Sequence, residues 1–242
     1  MELPVATNIA VKEVGDSISE DTPTERFIEW TLDRFAGQRM VMTTSFGMEG
    51  CALVDMYHKF GRPLTVIYLD TMFFFPETYK LRDQLAERYP NFQFVNGGTT
   101  LTPEQQAREY GDELWKYNPT QCCKIRKVDP MHPVMADVDV WITGLRRGQS
   151  STRANIQLIE WDWKYHVLKV SPIAKWGREQ IWEYIQANNV PYNELHEQGY
   201  PTVGCTHCTT PVPGSKPWDY SRDGRWAGKG KTECGLHGGA GI

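Results

Sequence analysis

The chain has 242 residues, of which 40% are hydrophobic and 23% charged, and its formal net charge is −4. This length and apolar content suit one α/β domain with a tail, and the mild negative charge argues against nucleic acid as a partner. No apolar run approaches the roughly 18 residues of a membrane span, and the N-terminus lacks a basic-then-apolar signal, so we expect a cytoplasmic protein that does not bind membranes.

Strands and helices alternate along the chain. The predicted strands are 39–44, 64–69, 92–95, 138–143, 156–160 and 167–170, and the predicted helices are 49–60, 76–89 and 177–188. Pro76 opens the second of these helices, because proline is favoured in a first helical turn. The alternation predicts an α/β fold with a mostly parallel open sheet and helices on both faces.

Composition divides the chain into three segments. From about Pro211 onward Pro, Gly, Lys, Arg and Trp dominate, and the periodicity of helices and strands disappears. We therefore expect a loose N-terminal leader over residues 1–22, an α/β domain over residues 23–210 and a flexible C-terminal tail over residues 211–242.

Ligand-binding residues are expected beyond the carboxyl ends of the parallel strands. The residues there are Ser45, Gly47 and Glu49 after the first strand, Leu69, Asp70 and Thr71 after the second, and Gly144, Arg146, Arg147, Gln149 and Arg153 after the fourth. A turn of small residues into a helix suits a phosphate or sulfate, and the clustered arginines favour an anion site over a solvated loop. The chain lacks a Walker lysine and a G-x-G-x-x-G motif, which argues against a P-loop NTPase and a dinucleotide-binding fold.

Four of the six cysteines form two close pairs, Cys122–Cys123 and Cys205–Cys208. Neighbouring side chains diverge by about 100° on a helix, so the adjacent pair converges poorly on one zinc ion. Each member can instead reach a different iron of a [4Fe–4S] cluster, which four thiolates hold. The pattern favours such a cluster, with a disulfide or two buried thiols as the alternatives. Cys51 lies in an apolar stretch and is expected in the core.

Cys234 lies in a glycine-rich segment, which excludes it from the core. The cations Arg222, Arg225, Lys229 and Lys231 precede it. Because nearby cations lower the pKa of a thiol, Cys234 is predicted to be an exposed, activated nucleophile that moves between a substrate and a partner protein. An exposed cysteine without a function is the alternative.

Together these motifs resemble the assimilatory sulfonucleotide reductases, and within them the bacterial adenylyl-sulfate (APS) reductases. The matching segments cover most of the chain: 45–49, 69–71, 76–79, 122–127, 144–147, 149–150, 152–154, 204–208, 222–226 and 233–237. The resemblance implies the ATP-pyrophosphatase (adenine nucleotide α-hydrolase-like) fold. It also implies one [4Fe–4S] cluster bound by Cys122, Cys123, Cys205 and Cys208.

The activity implied by the resemblance is reduction of APS to sulfite and AMP. The Cys234 thiolate would attack the substrate sulfur, and thioredoxin or glutaredoxin would release sulfite from the S-sulfocysteine. Lys127, Arg222 and Arg225 are the candidate catalytic cations, and Arg153, His237 and the strand-end residues would bind the sulfonucleotide. Four cluster cysteines favour APS over the 3′-phosphorylated substrate PAPS, although a PAPS or dual reductase remains the alternative. The formation of a homo-oligomer is left open.

One segment departs from the family pattern, and two other functions need comparison. Residues 72–75 read Met-Phe-Phe-Phe where family members often have Gly-Arg, so a polar contact of that arginine is lost or supplied elsewhere. A nucleotide-activating synthetase of the same fold would need a Ser-Gly-Gly-x-Asp-Ser loop, which this chain lacks. A non-catalytic iron–sulfur sensor would not need Cys234 or the tail arginines.

Overall fold

A six-stranded sheet forms the centre of the structure, a computed structural model that describes residues 18–237. The strands are β1 Met40–Thr44, β2 Leu64–Tyr68, β3 Phe92–Asn96, β4 Val140–Ile142, β5 Ile159–Asp162 and β6 Val167–Val170. They are ordered β3-β2-β1-β4-β6-β5, and every neighbouring pair is parallel except β5 with β6. The predicted mostly parallel open sheet is confirmed.

Helices connect the strands. They are α1 Thr24–Arg34, α2 Met48–His58, α3 Pro76–Arg88, α4 Pro103–Tyr110, α5 Leu114–Tyr117, α6 Pro119–Cys123, α7 Asp129–Met135 and α8 Arg178–Ala187. A π-helical turn over Lys124–Val128 joins α6 to α7. The three predicted helices are confirmed within one or two residues at each end. The sequence analysis missed the other five of these helices: α1, α4, α5, α6 and α7.

The two faces of the sheet bury alternate residues of each strand, as the period of two requires. Met42 and Val66 point into an apolar cluster with α2, α3 and α8, whereas Val41 and Ile67 point into a second cluster with α7. Helix α2 is buried along nearly its whole length, and Cys51 lies there with no exposed surface, as expected for a core residue. Both faces are therefore covered, as predicted.

The antiparallel edge is a hairpin of β5 and β6. Its first strand begins at Ile159, three residues later than predicted. The Asp162 carboxylate accepts hydrogen bonds from the backbone N–H groups of Lys164 and Tyr165, at 3.0 and 3.1 Å, and so closes the turn. Side chains bonding to nearby backbone are a common way to hold such a turn.

The last described segment folds back over the domain without forming a helix or strand. Trp226 N–H donates to the Cys208 carbonyl at 3.1 Å, and Thr210 N–H donates to the Gly224 carbonyl at 2.9 Å. Most of the predicted leader, residues 1–17, lies outside the described residues, and the three segment boundaries stay predictions. Between residues 18 and 237 no helix combines the length and apolarity needed to cross a membrane.

Candidate active site

A cavity opens beyond the carboxyl ends of β1, β2 and β4, the edge where the sequence analysis expected a ligand. Most of the predicted catalytic and substrate-binding residues line it: Ser45, Gly47, Glu49, Leu69, Lys127, Gly144, Gln149, Arg153, Arg222, Arg225, Cys234 and His237. The fold therefore brings together residues that are up to 192 positions apart in the chain.

The turn between β1 and α2 forms the floor of this cavity. Phe46 has a left-handed φ of 60°, and its ring is buried against Tyr68 and Phe74. The Thr44 hydroxyl accepts a hydrogen bond from Phe46 N–H at 2.9 Å, and a Cβ on Gly50 would lie 2.2 Å from the same oxygen. Packing thus holds the turn in a strained conformation. The turn directs the N-terminus of α2 at the cavity, and a helix N-terminus is a favourable place for an anion.

Glu49 is held by a buried ion triad at the cavity wall. Its Oε1 accepts from Arg146 Nη2 at 2.7 Å and from Arg178 Nη1 at 3.3 Å. Burial raises the pKa of Glu49, but the charges of Arg178 and Arg146 outweigh it and bring the pKa to about 2. The triad links α2, the loop that follows β4, and α8. Arg178, which lines the cavity, was missed by the sequence analysis because no motif marks it.

Four predicted substrate residues lie outside the cavity wall. Arg146 belongs to the triad, and Arg147 donates to Glu20 at 2.7 Å on the surface. Asp70 Oδ1 accepts from Tyr79 Oη at 2.9 Å, and the Thr71 carbonyl accepts from a buried arginine at 2.8 Å. Their polar atoms are therefore engaged in shaping the surrounding loops.

The glycine-rich segment around Cys234 is docked at the cavity. Lys164 Nζ donates to the Gly235 carbonyl at 2.5 Å, and the His237 ring stacks on Trp141 with ring centroids 4.9 Å apart. Leu236 packs against the apolar cluster beneath α7. Cys234 is consequently half-buried rather than exposed as expected, because these contacts lie on its C-terminal side and pull it against the domain.

Charges around Cys234 favour its thiolate. Burial alone would raise the pKa of this thiol, but Lys127, the Leu236 N–H and Arg153 together lower it below the ordinary value. Burial likewise lowers the pKa of Lys127, whereas the thiols of Cys205, Cys123 and Cys234 raise it above the ordinary value. Lys127 is thus a charged lysine that favours the thiolate form of Cys234.

Several buried polar atoms of the cavity residues have no hydrogen-bond partner within residues 18–237. They are Arg222 Nε, Arg225 Nε, Trp226 Nε1, His196 Nε2 and His237 Nδ1. Buried polar groups are rarely left unpaired in proteins, so a polar ligand is the expected partner for this set. Trp226 and His196 were not predicted from the sequence.

The two cysteine pairs line a second cavity, which shares Lys127, Arg225 and Trp226 with the first. Cys122 and Cys123 end α6, and the other pair lies on the turn Thr206–Cys208 and the residue before it. Burial and the charges of the neighbouring thiols raise the pKa of Cys122 to about 12, so a free thiolate at Cys122 is unfavourable in this cavity.

No group of three His, Cys, Asp or Glu side chains among the described residues is arranged to hold a metal ion. A [4Fe–4S] cube differs from one ion because each of its four irons takes one thiolate, so the ligands surround a larger volume. Four cysteines around one cavity match that set of donor atoms. The residues present therefore fit an iron–sulfur cluster in type and number.

Phe73, in the segment 72–75, lines the cysteine cavity. Met72 has a left-handed φ of 57°, a conformation that glycine adopts more easily. The Phe73 ring lies 4.2 Å from the Arg126 guanidinium and packs edge-on against His207 at 4.8 Å. Phe73 thus places an aromatic face beside the cysteines, at the position where the resemblance led us to expect arginine.

Comparisons with known proteins match the chain along most of its length. The family described as phosphoadenosine phosphosulfate reductase domain matches residues 39–211. Adenosine 5′-phosphosulfate reductase of Shouchella clausii is 47% identical over 210 residues, covering 87% of this chain and 86% of that protein. Adenosine 5′-phosphosulfate reductase 2 of Bacillus subtilis is 41% identical and covers 93% of each.

Solved structures give the same fold. Phosphoadenylyl-sulfate (PAPS) reductase from Candida auris, in a phosphate complex, superposes with a TM-score of 0.72 at 26% identity and covers 87% of this chain and 99% of that chain. Candida glabrata FMN adenylyltransferase, with a TM-score of 0.57 and 15% identity, covers 86% of this chain and 72% of that one and shares the fold alone. The predicted ATP-pyrophosphatase fold is confirmed.

The charge environment of Cys234 predicts its reactivity. The rate of Cys234 alkylation by iodoacetamide should rise with pH around a midpoint below that of an ordinary exposed cysteine thiol. Lys127→Ala should move this midpoint upward, because the positive charge that stabilises the thiolate is lost. The modified peptide is quantified by mass spectrometry, and Lys80→Ala, on the exposed surface of α3, is the control. An unchanged midpoint in the Lys127 variant would contradict the assignment.

Proposed function

The chain belongs to the phosphoadenosine phosphosulfate reductase family, and from this membership we propose that it reduces APS to sulfite and AMP through Cys234. It is an enzyme, an oxidoreductase of sulfate assimilation. The observation that carries the proposed chemistry is the half-buried Cys234 beside Lys127 in a cavity that Arg153, Arg222 and Arg225 also line.

The first step transfers sulfur to the enzyme. The Cys234 thiolate attacks the sulfur of APS, an S–S bond forms, and the bond between this sulfur and the phosphate oxygen breaks. AMP leaves with the bonding electron pair, and S-sulfocysteine remains. Because both thiolate and substrate are anionic, cations must offset the charge that gathers as they approach, and Lys127 and Arg225 are suitably placed for this.

The second step requires a dithiol protein, and thioredoxin or glutaredoxin is the proposed partner. A thiolate of the partner attacks Sγ of Cys234 and releases sulfite, leaving a mixed disulfide. The second thiol of the partner resolves this disulfide, so the partner is oxidised and Cys234 returns as a thiol. The tail offers no other cysteine for this purpose, so the two electrons come from outside the chain.

The covalent intermediate provides the most direct test. Protein mixed with APS in the absence of a reductant should gain one SO₃ group, about 80 Da, on the peptide that contains Cys234. Adding reduced thioredoxin should remove the adduct and release sulfite. Cys234→Ser should form no adduct and show no turnover, because a hydroxyl is a much weaker nucleophile near neutral pH.

The same experiment separates the rival functions. Cys51→Ser, which removes a thiol buried in α2 away from both cavities, should still form the adduct. An adduct on any other cysteine, or turnover by the Cys234 variant, rules out the assigned role. AMP production without sulfite would instead favour nucleotide chemistry, and nucleotide binding without either product would favour a sensor.

A [4Fe–4S] cluster held by Cys122, Cys123, Cys205 and Cys208 is also proposed. Its support is the set of four thiols around one cavity and the cations Arg126, Lys127 and Arg225 beside them, which would offset the cluster's negative charge. When bound, the cluster would order the two cysteine segments and adjust the electrostatic potential next to the cavity. No electron passes through it in the proposed reaction.

Iron content tests the cluster. Protein purified without oxygen should be brown and contain about four irons per chain. Cys208→Ser should lose most of this iron and the accompanying visible absorption, because one thiolate ligand is removed, whereas Cys51→Ser should retain both. Stoichiometric zinc in place of iron in the anaerobic preparation would refute the cluster.

The proposed substrate is APS rather than PAPS. Support comes from the four cysteines and from relatives at 41–47% identity that are named adenosine 5′-phosphosulfate reductases. We expect a higher kcat/KM for APS than for PAPS, measured by sulfite release with each nucleotide. A tenfold preference for PAPS, about 1.4 kcal/mol of transition-state binding, would favour the alternative of a PAPS reductase. Equal kcat/KM values for the two nucleotides would favour a dual reductase.

The proposed cellular location is the cytoplasm. This location is supported by the roles proposed for the cysteines, a free nucleophilic thiol and four cluster ligands, because free thiols and thiolate-bound clusters persist in a reducing compartment. All six cysteines of the described chain are free thiols rather than members of disulfides.

A further inference from the structure

We propose that Glu233 is a positioning residue that holds the peptide of Cys234 at the cavity during sulfur transfer. This inference rests on the proposed function, since it assigns to Glu233 the placement of the proposed nucleophile. Glu233 is 6% exposed, although it lies in a glycine-rich segment without helix or strand.

The side chain of Glu233 is fixed at both carboxylate oxygens. Oε2 lies 2.7 Å from Arg153 Nη2 and 3.3 Å from Arg222 Nη2, and Oε1 accepts from the Ser150 hydroxyl at 3.1 Å. These partners belong to two separate segments, the loop after β4 and the tail. A buried, multiply bonded carboxylate is costly to unpair, so these contacts oppose movement of the Cys234 peptide.

The position of Glu233 in the tail explains why an anchor is needed there. Gly228, Gly230 and Gly235 all have left-handed φ values, between 61° and 84°. Such a backbone has many accessible conformations, so placing one thiol within reach of a substrate sulfur requires anchors on both sides of it. Leu236 and His237 hold the C-terminal side, and Glu233 holds the N-terminal side.

The presence of the Glu233 carboxylate is not explained by a role in activating the Cys234 thiol. The negative charge of Glu233 raises the pKa of Cys234 and so disfavours the thiolate. The carboxylate also engages two of the cations that line the cavity, leaving Lys127 and Arg225 to face the substrate's charge. Its benefit must therefore lie in geometry, which outweighs these electrostatic costs because the reacting atoms must be held close together.

The test compares Glu233→Gln with Asp223→Asn, which makes the same change of charge at an exposed position of the same tail. Adduct formation is followed by mass spectrometry after mixing with APS alone. Adduct removal is followed separately, by adding reduced thioredoxin to protein that already carries it. Glu233→Gln should form the adduct about 10- to 100-fold more slowly but lose it at least as fast as the wild type, because only the first step needs the docked position.

Hydrogen exchange of residues 231–237 measures docking without any reaction. These amides should exchange faster in Glu233→Gln than in the wild type, while Asp223→Asn should match the wild type in exchange and in both steps. Wild-type or faster adduct formation in Glu233→Gln, equal slowing of both steps, or unchanged exchange would overturn the proposal. If wild-type protein forms no adduct on Cys234, the proposed function fails, and the exchange comparison still decides whether Glu233 docks the tail.

Discussion

The site depends on Lys127, which lies between the two cysteine pairs and Cys234. Lys127 lines both the cavity at the strand ends and the cavity of the cysteine pairs, and the charges of Cys123, Cys205 and Cys234 all act on it. It stays charged despite burial because these neighbours favour its ammonium form. The π-helical turn that carries Lys127 follows Cys123 directly, so one short piece of backbone positions both Lys127 and the first pair of cysteines that would bind a cluster.

In the rest of the site, the carboxylates at the cavity are paired with arginines. Glu49 is neutralised by Arg146 and Arg178, and Glu233 by Arg153 and Arg222. Each carboxylate ties separate parts of the chain together and faces two arginines, so each group of three side chains keeps one net positive charge. Such a site attracts an anionic nucleotide, and in the proposed reaction it would also lower the cost of bringing a thiolate toward an anionic sulfur.

Short-range patterns in the sequence were sufficient for most of the fold. Buried strands such as 64–69, and helices opened by residues such as Pro76, appear in the structure within a few residues of their predicted bounds. The antiparallel pairing of β5 with β6 could not be predicted, because strand direction depends on which neighbours pair and not on the residues of one strand. The short helices before Cys122 were also missed, since they contain too few turns to show a period.

The sequence by itself determined which residue types are available for chemistry: the spacing of the cysteines, the arginines after β4 and the glycine-rich surroundings of Cys234. Only the tertiary structure decided which of them meet. Arg147 turns outward to Glu20, whereas Arg178, far away in the chain and marked by no motif, enters the site. The tertiary structure also leaves Cys234 half-buried, although the local sequence indicated that it would be exposed. The physical reason is that burial and charge pairing arise between distant segments, and no local pattern records them.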